Sequence, residues 1–303
     1  MANESIPFWK LTAAGNDFVC FDNRDGRFDR LISDTAASGH FARTVCRRNF
    51  GIGADGVIFA CLPETPEAAD FGASHYESDG SPCELCGNGS ACFTRFVIDE
   101  GLVPDREIKF LTPFGVVRGR REDGQYIRVC IPSPEDQKLG MQLDIGNTRL
   151  ECDYVVTGVP HVVTYVDDLA STDVAGLGFG LRHHEAFRPR GANANFVQVL
   201  GEGQIAVRTF EFGVEGETLA CGTGSAAAAI LATLRFGWDG GIRSHEKPVL
   251  VHSRSGEILR VYFMAEGQLI TDACLETVVR NIMHGRLNEE FAAQALATAG
   301  AER

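Results

Sequence analysis

The sequence predicts an α+β protein built from two similar halves. Three observations carry that reading. Strand-like runs outnumber helical ones and few helices fall between them, which argues against a doubly wound α/β sheet. The pentapeptide CGNGS at 86–90 returns as CGTGS at 221–225, each time leading into a helical pattern. The chain has 303 residues, enough for two domains of ordinary size.

Taken in order, Asp17–Asp22 and Gly56–Ala60 read as strands, with Thr35–Asn49 as a helix between them. Ser90–Asp99 predicts a second helix, followed by strands at Glu107–Leu111, Gly115–Arg118 and Tyr126–Ile131. Pro132-Ser133-Pro134 marks a linker between the halves. The second half offers strands at Arg149–Val156, His161–Val166, Ala194–Leu200 and Gln204–Glu211. Ser225–Phe236 is the clearest helix, with five Ala, two Leu and Gly237 as its stop. Strands at Val249–His252, Ile258–Phe263 and Gln268–Thr271 follow, and Asn288–Ala299 predicts a terminal helix. β-branched and aromatic residues, bounded by Gly, Asp and Pro, justify each strand.

A net charge of −13 disfavours nucleic acid or an anionic membrane as partner. The densest basic stretch, Arg118-Gly119-Arg120-Arg121, is followed at once by Glu122-Asp123. No run of about 18 apolar residues predicts a membrane helix, and MANESIPFWK lacks the apolar core of a secretory signal. The expectation is a cytoplasmic protein whose ten cysteines are reduced thiols, most of them small core residues. Cys83-Glu84-Leu85-Cys86 has no second ligand pair for zinc and no βαβ context for redox chemistry. His183-His184 has no accompanying carboxylate motif, so no metal is expected. Cys83 and Cys92 read as structural, and Trp9 and Trp238 as packing residues.

The two Cys-Gly-x-Gly segments carry the chemistry. Two glycines in four residues let the backbone approach a ligand closely. A following helix N-terminus favours an anion such as a carboxylate, and the same field favours a thiolate. Neither segment has the Lys-Ser/Thr of a Walker motif, so a nucleotide cradle is disfavoured. Two such thiols suit proton removal from one face of a carbon and return on the other, without an imine cofactor.

These residues resemble the diaminopimelate epimerase family. The matching motifs are Gly15-Asn16-Asp17-Phe18, Gly51-Ile52-Gly53-Ala54-Asp55-Gly56, and Asp79-Gly80-Ser81 before Cys86-Gly87-Asn88-Gly89. In the second half they are Gly158-Val159-Pro160-His161, Asn193-Ala194-Asn195-Phe196, and Glu211-Phe212-Gly213 before Glu217-Thr218-Leu219-Ala220-Cys221-Gly222-Thr223-Gly224. The resemblance implies two pseudo-symmetric domains, each a curved, mostly antiparallel sheet wrapped around a central helix, with the active site in the cleft between them. The domains would be 1–131 with 273–287, and 132–272. Residues 288–303 would extend past the family's usual end, as an interaction helix, a dimer element or a frayed terminus. It implies interconversion of LL- and meso-diaminopimelate, for lysine and peptidoglycan precursors, without a cofactor. Cys86 and Cys221 would be the acid/base pair, with His161 and Glu211 polarising the amine and tuning the thiols. Asn16, Gly87, Asn88, Asn193, Gly222 and Thr223 would bind substrate, and a homodimer is the expected assembly. From the residues alone, His161 reads equally as a core histidine and Glu211 as an ordinary strand-end carboxylate.

Three positions depart from the family, all where the far end of diaminopimelate would bind. Glu77 and Val159 stand where the family has Asn, and Phe212 where it has Arg. Arg would clamp a carboxylate in bidentate fashion and Phe cannot. Either other residues, such as Arg190 or Arg208, hold the distal carboxylate, or the substrate is another amino acid, such as histidine, lysine or ornithine. A non-catalytic amino-acid binding protein is the reading from another class.

Overall fold

The computed structural model describes residues 5–297. They divide into two compact units. The first runs to Ile127 and resumes at Val279, and the second is Arg128–Val278.

In the first unit β1 (Pro7–Ala13) and β2 (Asn16–Asp22) form an antiparallel pair. The short α1 (Asp29–Ile32) and then α2 (Thr35–Cys46) cross over to β3 (Gly56–Cys61), which lies parallel to β2. β4 (Phe71–Glu77) returns antiparallel, and α3 (Gly87–Asp99) crosses to β5 (Ile108–Thr112), parallel to β4. β6 (Gly115–Arg121) closes a hairpin with β5. β7 (Tyr126–Cys130) carries the chain into the second unit.

The second unit repeats this connectivity after an extra strand. β8 (Glu135–Ile145) and β9 (Thr148–Val156) form a hairpin, and β10 (Pro160–Tyr165) runs antiparallel to β9. α4 (Val174–Arg182) crosses to β11 (Asn193–Gly201), parallel to β10. β12 (Gln204–Glu211) returns antiparallel, pairs with the two-residue β13 (Gly216–Glu217), and is followed by α5 (Gly222–Phe236). β14 (Val249–Ser253) lies parallel to β12, and β15 (Ile258–Glu266) antiparallel to β14. The duplicated plan is a hairpin, a helical crossover, a hairpin, a second helical crossover and a hairpin. The expected α+β class and pseudo-symmetric halves are therefore present. α3 and α5 occupy equivalent places and are buried almost all round over their first three turns, as a helix at the centre of a curved sheet must be.

β16 (Leu269–Arg286) is far longer than the predicted Gln268–Thr271. Its first part pairs with β15 in the second unit, and Val279–Arg286 pair with β1 in the first. The first unit is thus completed by the end of the chain.

Four strands lie outside the sequence reading, and each lacks a clear pattern. β1 holds a Pro and a Lys; Lys10 is buried because its ammonium meets Asp17 at 2.9 Å. β4 is built of small and polar residues. β8 is a mostly exposed, charged strand at a sheet edge. β13 is too short to leave a pattern. α4 was hidden by three glycines in nine residues.

One expectation needs correction. Cys130 and Cys274 are joined in a disulfide, not reduced. They lie on β7 and β16, and the adjacent Ile131 N–H donates to Ala273 O at 2.9 Å, so backbone pairing brings them together. The described part of the tail packs on its own chain. α6 (Glu289–Leu296) is capped by the Asn288 side chain and packs Phe291, Ala292 and Ala295 into the first unit's core. The predicted end of that helix at Ala299, and the rest of the tail, lie outside the described residues. Trp9 packs on Phe96 and Trp238 on Phe236, as expected of packing residues.

Candidate active site

The Cys-Gly-x-Gly segments are not loops before helices. Each is a helix cap with its first turn. Cys86 is the N-cap of α3, and its sulfur accepts from the Gly89 N–H at 3.4 Å. Cys221 caps α5 in the same way, accepting from Gly224 N–H at 3.3 Å. Both helices therefore start three residues before the predicted Ser90 and Ser225. A sulfur replaces the usual Ser or Asp oxygen in satisfying an orphan N–H, which leaves the thiol at the positive end of the helix. The second glycine is required sterically. A Cβ on Gly224 would stand 2.5 Å from Asn195 Oδ1 and 3.2 Å from the Cys221 sulfur.

In the second unit a hydrogen-bonded series leads to Cys221. Asn195 Nδ2 donates to Val162 O at 3.0 Å, while its Oδ1 accepts from the Thr209 hydroxyl at 3.0 Å, which fixes the amide's orientation. That amide also donates to His161 Nδ1 at 3.2 Å. The ring proton must then sit on Nε2, where it donates to Thr223 Oγ1 at 3.0 Å. The Thr223 hydroxyl proton is left to face the Cys221 sulfur at 3.6 Å. Thr157 donates to Thr223 O at 3.0 Å and holds the turn. His161 is fully buried, and that burial lowers its pKa to about 3, so the ring stays neutral. His161 is thus a core histidine that bonds to Thr223 in the Cys221 turn.

Glu211 ends β12, and its carboxylate accepts from the Thr218 hydroxyl. Asn193 Oδ1 accepts the Phe212 N–H at 2.7 Å, which ties the start of β11 to the end of β12. Val159, Pro160, Arg190, Asn193 and Phe212 line a pocket of about 200 Å³. The sequence reading missed Arg182, whose guanidinium lies 4.2 Å over the Phe212 ring. Arg182 also donates to Arg190 O at 3.0 Å and pairs with Glu215 at 3.1 Å. Its only sequence signal is a basic residue in the last turn of α4. Arg208 does not reach this pocket. It is held by Glu217 and by the carbonyls of Leu169 and Thr172.

In the first unit the side chain facing Cys86 is an acceptor. The Cys86 sulfur donates to Asn16 Oδ1 at 3.8 Å, while Asn16 Nδ2 donates to Asp55 Oδ2 at 2.9 Å. Arg48 bridges Asp55 and Asp17, each at 3.0 Å. Burial opposes the Asp17 charge, but its bonds to Lys10 and Arg48 outweigh this and hold its pKa below the usual value. Gly87 and Asn88 are buried in the first turn of α3, and Gly222 and Thr223 in that of α5. Glu77 ends β4 as Glu211 ends β12, so the departure from the family places a carboxylate at the equivalent point of each half. Cys92 is fully buried in α3, in keeping with a structural role, and burial raises its pKa. Cys83 is half-buried.

The family model for diaminopimelate epimerase matches residues 8–129 and 154–270. The diaminopimelate epimerase of Aquifex aeolicus is 40% identical over 289 residues, covering 94% of this chain and 99% of that protein. The enzyme of the same name from Archaeoglobus fulgidus is 39% identical over 245 residues, covering 78% and 84% respectively. Among solved structures, a hydroxyproline epimerase from Agrobacterium vitis shares the fold with a TM-score of 0.71 at 14% identity, covering 94% of this chain and 91% of that one. A phenazine biosynthesis protein of the PhzF family from Bacillus anthracis does so with a TM-score of 0.65 at 15% identity, covering 94% and 99%. At such identities the likeness concerns the fold. The two sequence relatives and the family match carry the assignment: this chain belongs to the diaminopimelate epimerase family.

Proposed function

We propose that the protein interconverts LL- and meso-diaminopimelate without a cofactor, with Cys86 and Cys221 as its acid/base pair. The observation that carries this reading is the sulfur-capped helix present once in each half. Each cap sets a thiol beside helix N–H groups suited to a carboxylate, so a substrate anchored there presents its α-carbon to sulfur. Each sulfur accepts one helix N–H; beyond that, the Thr223 hydroxyl favours an anionic Cys221 sulfur, and the Asn16 carbonyl favours a protonated Cys86. That asymmetry suits a resting pair of one thiolate and one thiol. The thiolate takes the α-proton, the thiol returns one to the opposite face, and the pair is restored when substrate of the other configuration reacts. Glu211 receives the α-amine. Arg190, beside Val159 and Phe212, takes the distal carboxylate that the family's Arg would hold. The protein works in the cytoplasm on a free amino acid.

The test is solvent-deuterium incorporation at Cα in D₂O, under reducing conditions, over diaminopimelate, histidine, lysine and ornithine. Exchange on diaminopimelate, lost in Cys86→Ser and in Cys221→Ser, is the expected result. Glu77 is the observation that favours a cationic distal group; exchange on lysine or ornithine alone would establish that second reading. No exchange on any of the four would leave only an amino-acid binding protein.

A further inference from the structure

We propose that His75, Glu77 and Cys83 form a binding site for a borderline divalent cation of the Zn²⁺ class, and that its occupancy blocks the Cys86 side of the reaction. One ring nitrogen of His75, a Glu77 carboxylate oxygen and the Cys83 sulfur lie within 4.8 Å of one another. The backbone builds this grouping. His75 and Glu77 are two residues apart on β4 and so share a face. The chain reverses through Asp79-Gly80-Ser81, Tyr76 pairs with Pro82, and the Cys83 N–H donates to His75 O at 2.9 Å. Cys83 thereby stands beside His75 on that same face.

The donors are suited to a metal. His75 Nε2 is buried without a hydrogen-bond partner, which is costly unless something satisfies it. The Phe18 ring meets the His75 ring edge-on at 5.3 Å and limits its rotation. A nitrogen, oxygen and sulfur set suits Zn²⁺ or Co²⁺ and does not suit Mg²⁺ or Ca²⁺, which take oxygen ligands. Three protein ligands leave a fourth position on the cation, and His75 and Cys83 also line a small pocket with Cys86 and Gly89 among others. A cation there would neutralise Glu77 and fill space beside Cys86. The blocking effect rests on the proposed epimerase reading, whereas the binding does not.

The experiment is calorimetric titration of the metal-free full chain with Zn²⁺, paired with the absorption spectrum on adding Co²⁺. One cation per chain is expected, with a thiolate-to-cobalt charge-transfer band. Cys83→Ser and His75→Gln should each weaken Zn²⁺ binding by about 100-fold or more, with circular dichroism confirming that they fold. No charge-transfer band in the wild type, or unchanged affinity in folded Cys83→Ser, would overturn the site. So would loss of binding only in Cys86→Ser or Cys221→Ser. In an active enzyme, Zn²⁺ should inhibit Cα exchange in the wild type but not in Cys83→Ser. Exchange that continues with the site full would overturn the blocking role.

Discussion

Cys221 ends a directional relay in which Asn195 donates to His161, His161 to Thr223, and the Thr223 hydroxyl faces sulfur. On the proposed mechanism only the sulfur changes charge during proton transfer, so removing the Thr223 hydroxyl should be felt in turnover. A hydrogen bond to an anion is worth roughly 1.5–3 kcal/mol, or about 10- to 100-fold in rate. Thr223→Val should therefore lower kcat by about that factor with little change in KM, as steady-state kinetics would read. His161 makes a second, pH-dependent statement. Its pKa falls from 6.5 when unfolded to about 3 when folded. A depressed pKa means that the unfolded chain binds the proton more readily. The second unit should accordingly lose stability as pH falls from 6.5 toward 3, and His161→Gln should remove that share of the loss in thermal melts across the range. At this scale the sequence named Cys86, Cys221, His161 and Glu211 as candidates, because short motifs record which residues are present. It could not record partnership. That His161 reaches sulfur through Thr223, and that Arg182 lies on Phe212, depend on strands and helices far apart in the chain. The His75, Glu77 and Cys83 grouping escaped notice because a hairpin, not a fixed spacing, assembles it.

Among the elements, α2 shows how the first unit is held. Its Phe41 meets Phe21, Phe28 and Phe59 with ring centroids 5.4–5.8 Å apart. Phe59 also contacts Tyr76 of β4 at 6.2 Å, so one ring links helix to sheet. Phe59→Ala should cost about 3–5 kcal/mol, read as a lowered midpoint in denaturant. α3 and α5 were the most legible helices because their small and apolar residues suit a central position. Their start was misplaced because glycine is a poor helix former, and the sequence does not reveal that a cysteine sulfur caps the turn. The strands that escaped, β1, β4, β8 and β13, are those whose pairing comes from neighbours and not from their own composition.

The whole chain is a duplicated plan in which the second unit is inserted before the first is finished. Cys130 and Cys274 join the strands by which the chain enters and leaves that second unit. Peptide mapping without reduction should recover the two in one cross-linked fragment. Reductant should destabilise the second unit by about 2–5 kcal/mol, since the bond closes a long loop. The two halves were legible from CGNGS and CGTGS, but the disulfide was not, because cysteine count alone names no pairing.

The passage of β16 from one unit into the other also orders events in time. On a growing polypeptide, every residue of the second unit has been made before Val279–Arg286 exist to complete the sheet beside β1. The first unit starts earlier in the chain, yet it must wait for β16 and α6 to be translated.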